Sequence, residues 1–281
     1  MVKKIFAQIY IYLILFLMYL PILVLIAFSF TTSTNVGVWT GFSFDLYPAL
    51  FQSEEIMIAL GNTLIIALSS SIISVILGTL GAIGVFYSKR RAKKTMEGMT
   101  QIPVVNAEIV MALSLVVMFV FIGTYFFAGA SIFSFWTLLI GHVVLSLPFV
   151  YLSVKPKLQQ MDPSIYEAAL DLGATPQKAL WKVMIPQILP GILSGFLLAI
   201  TLSLDDFIIT AFTRSAGLLS GEKTIETLST LVQAKIKKGP IPPEMRALTT
   251  IIFLLVLAIV IGVTVYNSYK AKQAKVRKGR I

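Results

Sequence analysis

The sequence predicts an all-α integral membrane protein with six transmembrane helices and one structured insert on its cytoplasmic side. Three observations predict it. The chain of 281 residues is 57% hydrophobic and only 13% charged, about half the roughly 25% charge of ordinary globular domains. Apolar runs long enough to cross a bilayer recur along it, and Lys and Arg gather at the ends of those runs. With 0 Cys and 1 His, a disulfide framework, a thiolate nucleophile and a Cys-based metal site are excluded, and a general-base role is weakened. A net charge of +10 would suit nucleic acid, but cations at span ends mark membrane topology rather than a phosphate-binding face.

A bilayer core needs about 20 largely apolar residues per helix. The first span covers 9–30, with Lys3 and Lys4 ahead of it. It exceeds the roughly 7–15 residues of a secretory signal core, and no A-x-A-like site follows Phe30, so it is a retained helix with its N-terminus inside. The link 31–56 has Asp45, Glu54 and Glu55 but no Lys or Arg, and falls outside. In the second span, 57–87, the small residues Gly78, Gly81, Gly84, Ser69, Ser70, Ser71 and Ser74 let helices approach closely. Lys89, Arg90, Arg91, Lys93 and Lys94 place the next link inside. The third span, 104–128, carries Glu108 in its first turns, where the helix dipole favours an acid. After an uncharged outer turn near 128–131 comes the fourth span, 132–154, with His142 read as a hydrogen-bonded packing group. An insert at about 155–188 holds Lys155, Lys157, Lys178 and Lys182 and lies inside. The fifth span, 189–213, includes Asp205 and Asp206. The link 214–246 is placed outside although it holds Arg214, Lys223, Lys235, Lys237, Lys238 and Arg246, because long structured loops escape the charge bias. Gly239-Pro240 and Pro242-Pro243 bracket it, and a short helix is expected at about 224–236. The last span, 247–269, precedes a basic tail, Lys270 to Arg280, on the inside. The expected protein is one multi-pass domain over 1–281 in the cell membrane, both termini cytoplasmic.

Within the insert, Asp162-Pro163 supplies an N-cap and a proline at the first helical position. Gly173 offers the left-handed geometry that ends a helix. Thr175-Pro176 repeats the start signal, and Pro186 is expected to stop the second helix. Leu180, Trp181 and Met184 offer apolar surface for packing on neighbouring helices. Glu167-Ala168-Ala169, then Gly173, then Val183, Ile185 and Pro186 resemble the EAA loop of permease subunits in binding-protein-dependent ABC importers. That pattern is E-A-A, a glycine four residues on, and I-x-L-P, with Val183 and Ile185 as conservative stand-ins. The resemblance implies a type I ABC importer permease fold. It also implies a coupling role for Glu167, Ala168, Ala169, Gly173 and Pro186, in a loop that sits on an ATP-binding subunit and transmits its closure. The nearest approach to a P-loop is Gly221-Glu222-Lys223-Thr224, where Glu222 breaks the required G-K-[ST] adjacency. The chain is therefore expected to be no enzyme and to hold no cofactor or metal, with ATP and Mg bound by the partner.

Asp205 and Asp206 lie about 24 Å along the helix from residue 189 at about 1.5 Å per residue. An ionised aspartate near a helix centre costs about 2.5–3.5 kcal/mol on insertion scales, so the pair should face water, a partner charge or a cationic substrate. Neighbours about 100° apart cannot serve one surface equally. Two readings stand: the pair caps the outer end of the span or pairs with Arg214, or it forms a cation-attracting mouth. Thr201-Leu202-Ser203-Leu204-Asp205-Asp206-Phe207 resembles the matching span of spermidine/putrescine permeases of the PotC type. So do Pro103 with Glu108-Ile109-Val110-Met111-Ala112, and Pro243-Glu244 with Ala247-Leu248. The resemblance implies a polyamine pathway, for which the candidates are Asp205, Asp206, Phe207 and Glu108, with Phe212 as a further cation–π host. It also implies a second permease subunit, two ATP-binding subunits and an external solute-binding protein as partners, besides membrane lipid. The alternatives are the same importer class carrying sulfate, iron or thiamine, a stand-alone secondary transporter or channel, and a membrane enzyme; no internal repeat or nucleophile–base constellation supports the last two.

Overall fold

The computed structural model describes residues 2–33, 35, 37–214, 225–239, 241–258 and 261–262, all helix and connecting loop with no strand among them. The helices are α1 (Val2–Phe28), α2 (Leu46–Gln52), α3 (Glu54–Phe86), α4 (Arg90–Val105), α5 (Glu108–Phe126), α6 (Phe135–Gln160) and α7 (Pro163–Asp171). They continue with α8 (Pro176–Asp205), α9 (Ile208–Thr213), α10 (Leu228–Lys238) and α11 (244–258). Five of these are long and apolar enough to cross a membrane: Gln8–Phe28, α3, α5, α6 and α8. The sixth expected span begins as α11; its residues 259–260 and 263–269, the tail from Lys270, and the Gly221–Thr224 stretch lie outside the described residues.

Residues 1–57 with 234–281 form one compact unit, and 58–233 a second. In the first, a cluster of rings follows α1: Phe30 stacks on Phe42 at 5.5 Å between centroids and meets Phe44 and Tyr47. Ring pairs of this kind hold a loop beyond what area burial alone supplies. The Arg246 guanidinium donates to the Ser33 carbonyl at 2.8 Å, and Lys235 pairs with Glu55 at 2.6 Å.

The core of the second unit lies along α6 and α8. Val150, Val154, Leu158, Met184, Ile188 and Ala199 are fully buried there, with Ala82 and Val85 of α3 against them. Small residues set the spacing. A Cβ at Gly195 would lie 3.2 Å from the Val150 Cα, and one at Gly78 would lie 2.8 Å from a Val150 methyl. A Cβ at Gly81 or Gly84, both expected to serve the same end, would meet nothing within 4 Å among the described residues, so neither sets a close helix approach there.

Three elements depart from the expected boundaries. The basic link after α3 forms a 16-residue helix, α4, with no buried residue; its polar composition hid it among spans sought by hydropathy. Pro186 does not end a helix. Its ring would crowd the carbonyl four residues back, and the chain answers with a wider π-helical turn over Leu180–Met184 before helix continues to Asp205. The expected span 189–213 is broken at Asp206 and Phe207, so α8 ends and the short α9 begins.

Candidate functional site

Two constructions within 58–233 carry the residues singled out by sequence. The first is the insert. The Asp162 carboxylate accepts from the Ser164 amide at 3.0 Å, with Pro163 in the first turn of α7. That hydrogen bonding holds the Asp162 carboxyl below the ordinary carboxylate range. At the other end the Gly173 amide donates to the Leu170 carbonyl at 2.9 Å and the Ala174 amide to Ala169 at 3.0 Å. This is a Schellman closure, and Gly173 takes the left-handed φ of +84° that it demands. Thr175 then caps α8 by accepting from the Lys178 amide at 3.4 Å. Helix, turn and helix are thus each fixed by a local side-chain or glycine signal.

The insert has two sides. Met161, Tyr166, Leu180 and Met184 fasten it to the α6–α8 core. The Tyr166 ring also lies 6.0 Å from that of Tyr87, at the end of α3. Burial, and after it the neighbouring Tyr166 and Glu167, push the Tyr87 hydroxyl above its ordinary value. Glu167, Ala168, Gly173 and Pro186 are exposed and Ala169 is half-buried. Ile165, Leu172 at 89% and Trp181 at 68% exposure share the uncovered surface. Of the three residues expected to pack, Met184 and Leu180 do so, whereas Trp181 points away from the core.

The second construction is a chain of hydrogen bonds among buried groups. The Ser70 hydroxyl donates to Ser203 Oγ at 3.2 Å. Ser203 Oγ lies 2.7 Å from His142 Nδ1, and His142 Nε2 lies 2.9 Å from Thr210 Oγ1. Thr210 Oγ1 reaches Asp206 Oδ2 at 2.9 Å. A carboxylate only accepts, so the Thr210 proton points to Asp206. Thr210 then accepts from a protonated Nε2, and neutral Nδ1 accepts from Ser203. Every group is satisfied with His142 neutral. The chain ties α3, α8, α6 and α9 together.

Asp206 also accepts from the amides of Ile209 at 3.0 Å and Thr210 at 2.8 Å, so it caps α9 while ending α8. Its carbonyl accepts from the Ser229 hydroxyl at 2.7 Å. The residue is 6% exposed, whereas Asp205 beside it is exposed. The α9 helix is pressed onto α6: a Cβ at Gly141 would lie 2.6 Å from an Ile209 methyl, and Thr137 donates to the Thr213 carbonyl at 3.0 Å. Met111, Ala112, Leu115 and Phe119 of α5 complete that packing.

Residues 70–278 match the family model described as binding-protein-dependent transport system inner membrane component. The chain belongs to this family. The permease is 34% identical over 223 residues to the spermidine/putrescine transport system permease protein PotC of Haemophilus influenzae, covering 79% of this chain and 81% of that one. It is 31% identical to PotC of Escherichia coli K12, with 80% and 79% covered. Against the putrescine transport system permease protein PotI of the same strain it is 34% identical, with 86% and 83% covered. Its fold matches a chain of a bacterial ABC transporter involved in import of the acidic polysaccharide alginate, with TM-score 0.66, 16% identity and coverage of 95% and 96%. It also matches a chain of the alginate transporter in complex with an alginate pentasaccharide-bound periplasmic protein, with TM-score 0.67, 20% identity and coverage of 92% and 91%. At such identity the likeness is one of fold, that of ABC importer permeases.

The structure therefore gathers Glu167, Ala168, Ala169 and Gly173 into one knob, with Pro186 in the helix leading away from it. It separates the two aspartates: Asp206 is consumed by the α9 cap, and Asp205 remains open. Phe207 is half-buried at the break between α8 and α9. Glu108 is the exposed first residue of α5, the position its charge suits through the helix dipole. Sequence reading missed Ser203, Thr210 and Ser70 as members of the network. The four-residue spacing of Asp206 and Thr210 was the available signal, because a carboxylate followed by free amides and a hydroxyl one turn on is a capping arrangement.

Proposed function

We propose that this permease is one transmembrane subunit of an ATP-driven importer that carries polyamines, spermidine or putrescine, into the cytoplasm. In this reading it performs no catalysis, and it works with a second related permease, two ATP-binding subunits that hold ATP and Mg, and an external solute-binding protein. Its termini and the α7 insert face the cytoplasm of the cell.

The observation that carries the reading is the knob at Glu167–Gly173: it is bolted to the α6–α8 core on one side and bare on the other. A lever needs that combination. A partner that closes against exposed Glu167, Ala168 and Leu172 pushes Tyr166, Leu180 and Met184, and through them the long helices, without deforming the turn. The cargo is supported by the three relatives described above, which are named as spermidine/putrescine or putrescine permeases. Exposed Asp205, with half-buried Phe207 nearby, offers a charge and a ring face to a multivalent cation.

The test is uptake of radiolabelled putrescine, spermidine and sulfate into proteoliposomes holding the assembled complex, with and without internal ATP. Uptake of polyamine that requires ATP is expected. Uptake of sulfate in preference, or uptake indifferent to ATP, removes the reading.

A further inference from the structure

We propose that the permease holds one anionic phospholipid in a cleft formed by α3, α4 and α6, its headgroup on Lys93 and Tyr151 and an acyl chain over Gly81. Two adjoining cavities share Val85 and Tyr151. The first is small and of mixed lining: Lys93, Glu97, Tyr151, Lys155 and Gln159 stand with the apolar Ala82, Val85, Phe86 and Leu158. Its free space is about 10 Å³, the room one water or one headgroup oxygen takes. The second is an apolar groove of about 210 Å³ along Gly78, Gly81, Met96, Met99 and Leu147. That is below the roughly 300–1,000 Å³ of a typical small-molecule pocket, and its largely apolar lining suits a hydrocarbon chain. A small pocket bearing charged side chains, joined to an apolar groove, is the outline of an amphiphile.

Charge says which amphiphile. Lys89, Arg90, Arg91, Lys93 and Lys94 crowd the first turns of α4, where the helix dipole is itself positive. The single acid of that helix, Glu97, is taken by Lys155 at 3.0 Å. Among the described residues Lys93 meets the Phe86 ring, 5.5 Å from its Nζ, and no carboxylate. Tyr151 is 3% exposed, and its hydroxyl has no hydrogen-bond partner among the described residues. A buried donor without a partner, beside an uncompensated cation, fits a phosphate oxygen. Clusters of four or more basic residues next to a span draw acidic lipid. Gly81 supplies the floor: it meets nothing within 4 Å, whereas Gly78 one turn earlier is closed by Val150.

The experiment titrates the purified, delipidated transporter with phosphatidylglycerol or phosphatidylcholine and counts bound lipid by native mass spectrometry. One phosphatidylglycerol is expected at concentrations where phosphatidylcholine does not bind. Lys93→Gln weakens it about fivefold, on the order of one juxtamembrane cation's contribution. Glu97→Gln frees Lys155 and tightens it. Gly81→Leu fills the groove and abolishes binding with the melting temperature of the lipid-free protein unchanged. Tyr151→Phe weakens binding while raising that melting temperature, which a residue serving only the fold would not do. Equal affinity for the two lipids, or wild-type binding by Gly81→Leu, overturns the proposal. So does displacement of the lipid by soluble glycerol phosphate at matching concentration, or a cleft that a co-purifying subunit keeps closed to lipid. Binding is read without transport, so an error in the cargo or the coupling partner leaves the result intact.

Discussion

Asparagine at position 206 should cost the permease its stability, whereas the same change at 205 should cost it only its cargo. The Asp206 carboxylate receives the amides of Ile209 and Thr210 and the Thr210 hydroxyl, at 2.8 to 3.0 Å, with His142 Nε2 at 3.6 Å from Oδ2. An asparagine keeps one acceptor oxygen and turns an NH2 group toward the remaining donors. One buried donor is then unsatisfied, about 1–3 kcal/mol, and the surviving bonds lose their charge assistance, about 1 kcal/mol more. Relief of carboxylate desolvation opposes this, but with the donors still in place the loss wins, at about 2–4 kcal/mol. At about 2–4 °C per kcal/mol for a large domain, that corresponds to a fall of roughly 4–16 °C in the melting temperature. Asp205, exposed, should shift stability by less than about 0.5 kcal/mol. The assay is thermal unfolding of both purified variants, paired with spermidine uptake in proteoliposomes. If Asp206→Asn melts with the wild type, or Asp205→Asn melts as low as Asp206→Asn is expected to, the capping account of α9 is wrong.

Gly173→Val forces a β-branched side chain into left-handed geometry, at about 1–2 kcal/mol, although the space around it is open. ATP hydrolysis should persist in the assembled complex while uptake falls, and wild-type uptake would contradict the lever. Gly141→Ala sets a methyl 2.6 Å from Ile209 and 3.1 Å from Thr213 Oγ1; overpacking of this kind costs about 1–3 kcal/mol and should appear as a lowered melting temperature, partly restored by Ile209→Ala. The Asp162 carboxyl titrates below its ordinary value because Ser164 hydrogen bonds to the charged form. A depressed folded-state value gives a contribution that is full above the unfolded pKa and lost as pH falls through the folded one. Proteolytic nicking of α7 should therefore rise at acid pH in the wild type, and Asp162→Asn should flatten that pH response.

The uneven legibility of the chain has physical reasons. Membrane spans are visible because lipid demands about 20 apolar residues in a row, and no tertiary contact is needed to say so. The ends of α7 are visible because Asp162-Pro163 and Gly173 act within a turn of themselves. The α4 helix was hidden because it crosses no bilayer and hydropathy does not report it. Pro186 misled because a proline forbids one hydrogen bond, not a helix, and a π-helical turn found another way through. Gly81 and Gly84 share their residue type and spacing with Gly78, but only the fold shows which of the three faces Val150.

Contiguous residues alone were enough to reveal the membrane as solvent, the places of five apolar helices and the start and end of α7, since each is a local property. That Asp206 belongs to a cap and Asp205 to the open surface emerges from the folded arrangement alone. The difference lies in Ser70, His142, Ser203 and Thr210, which come from four helices and reach one another only when the chain is folded. Two identical side chains in adjacent positions are told apart by their neighbours alone.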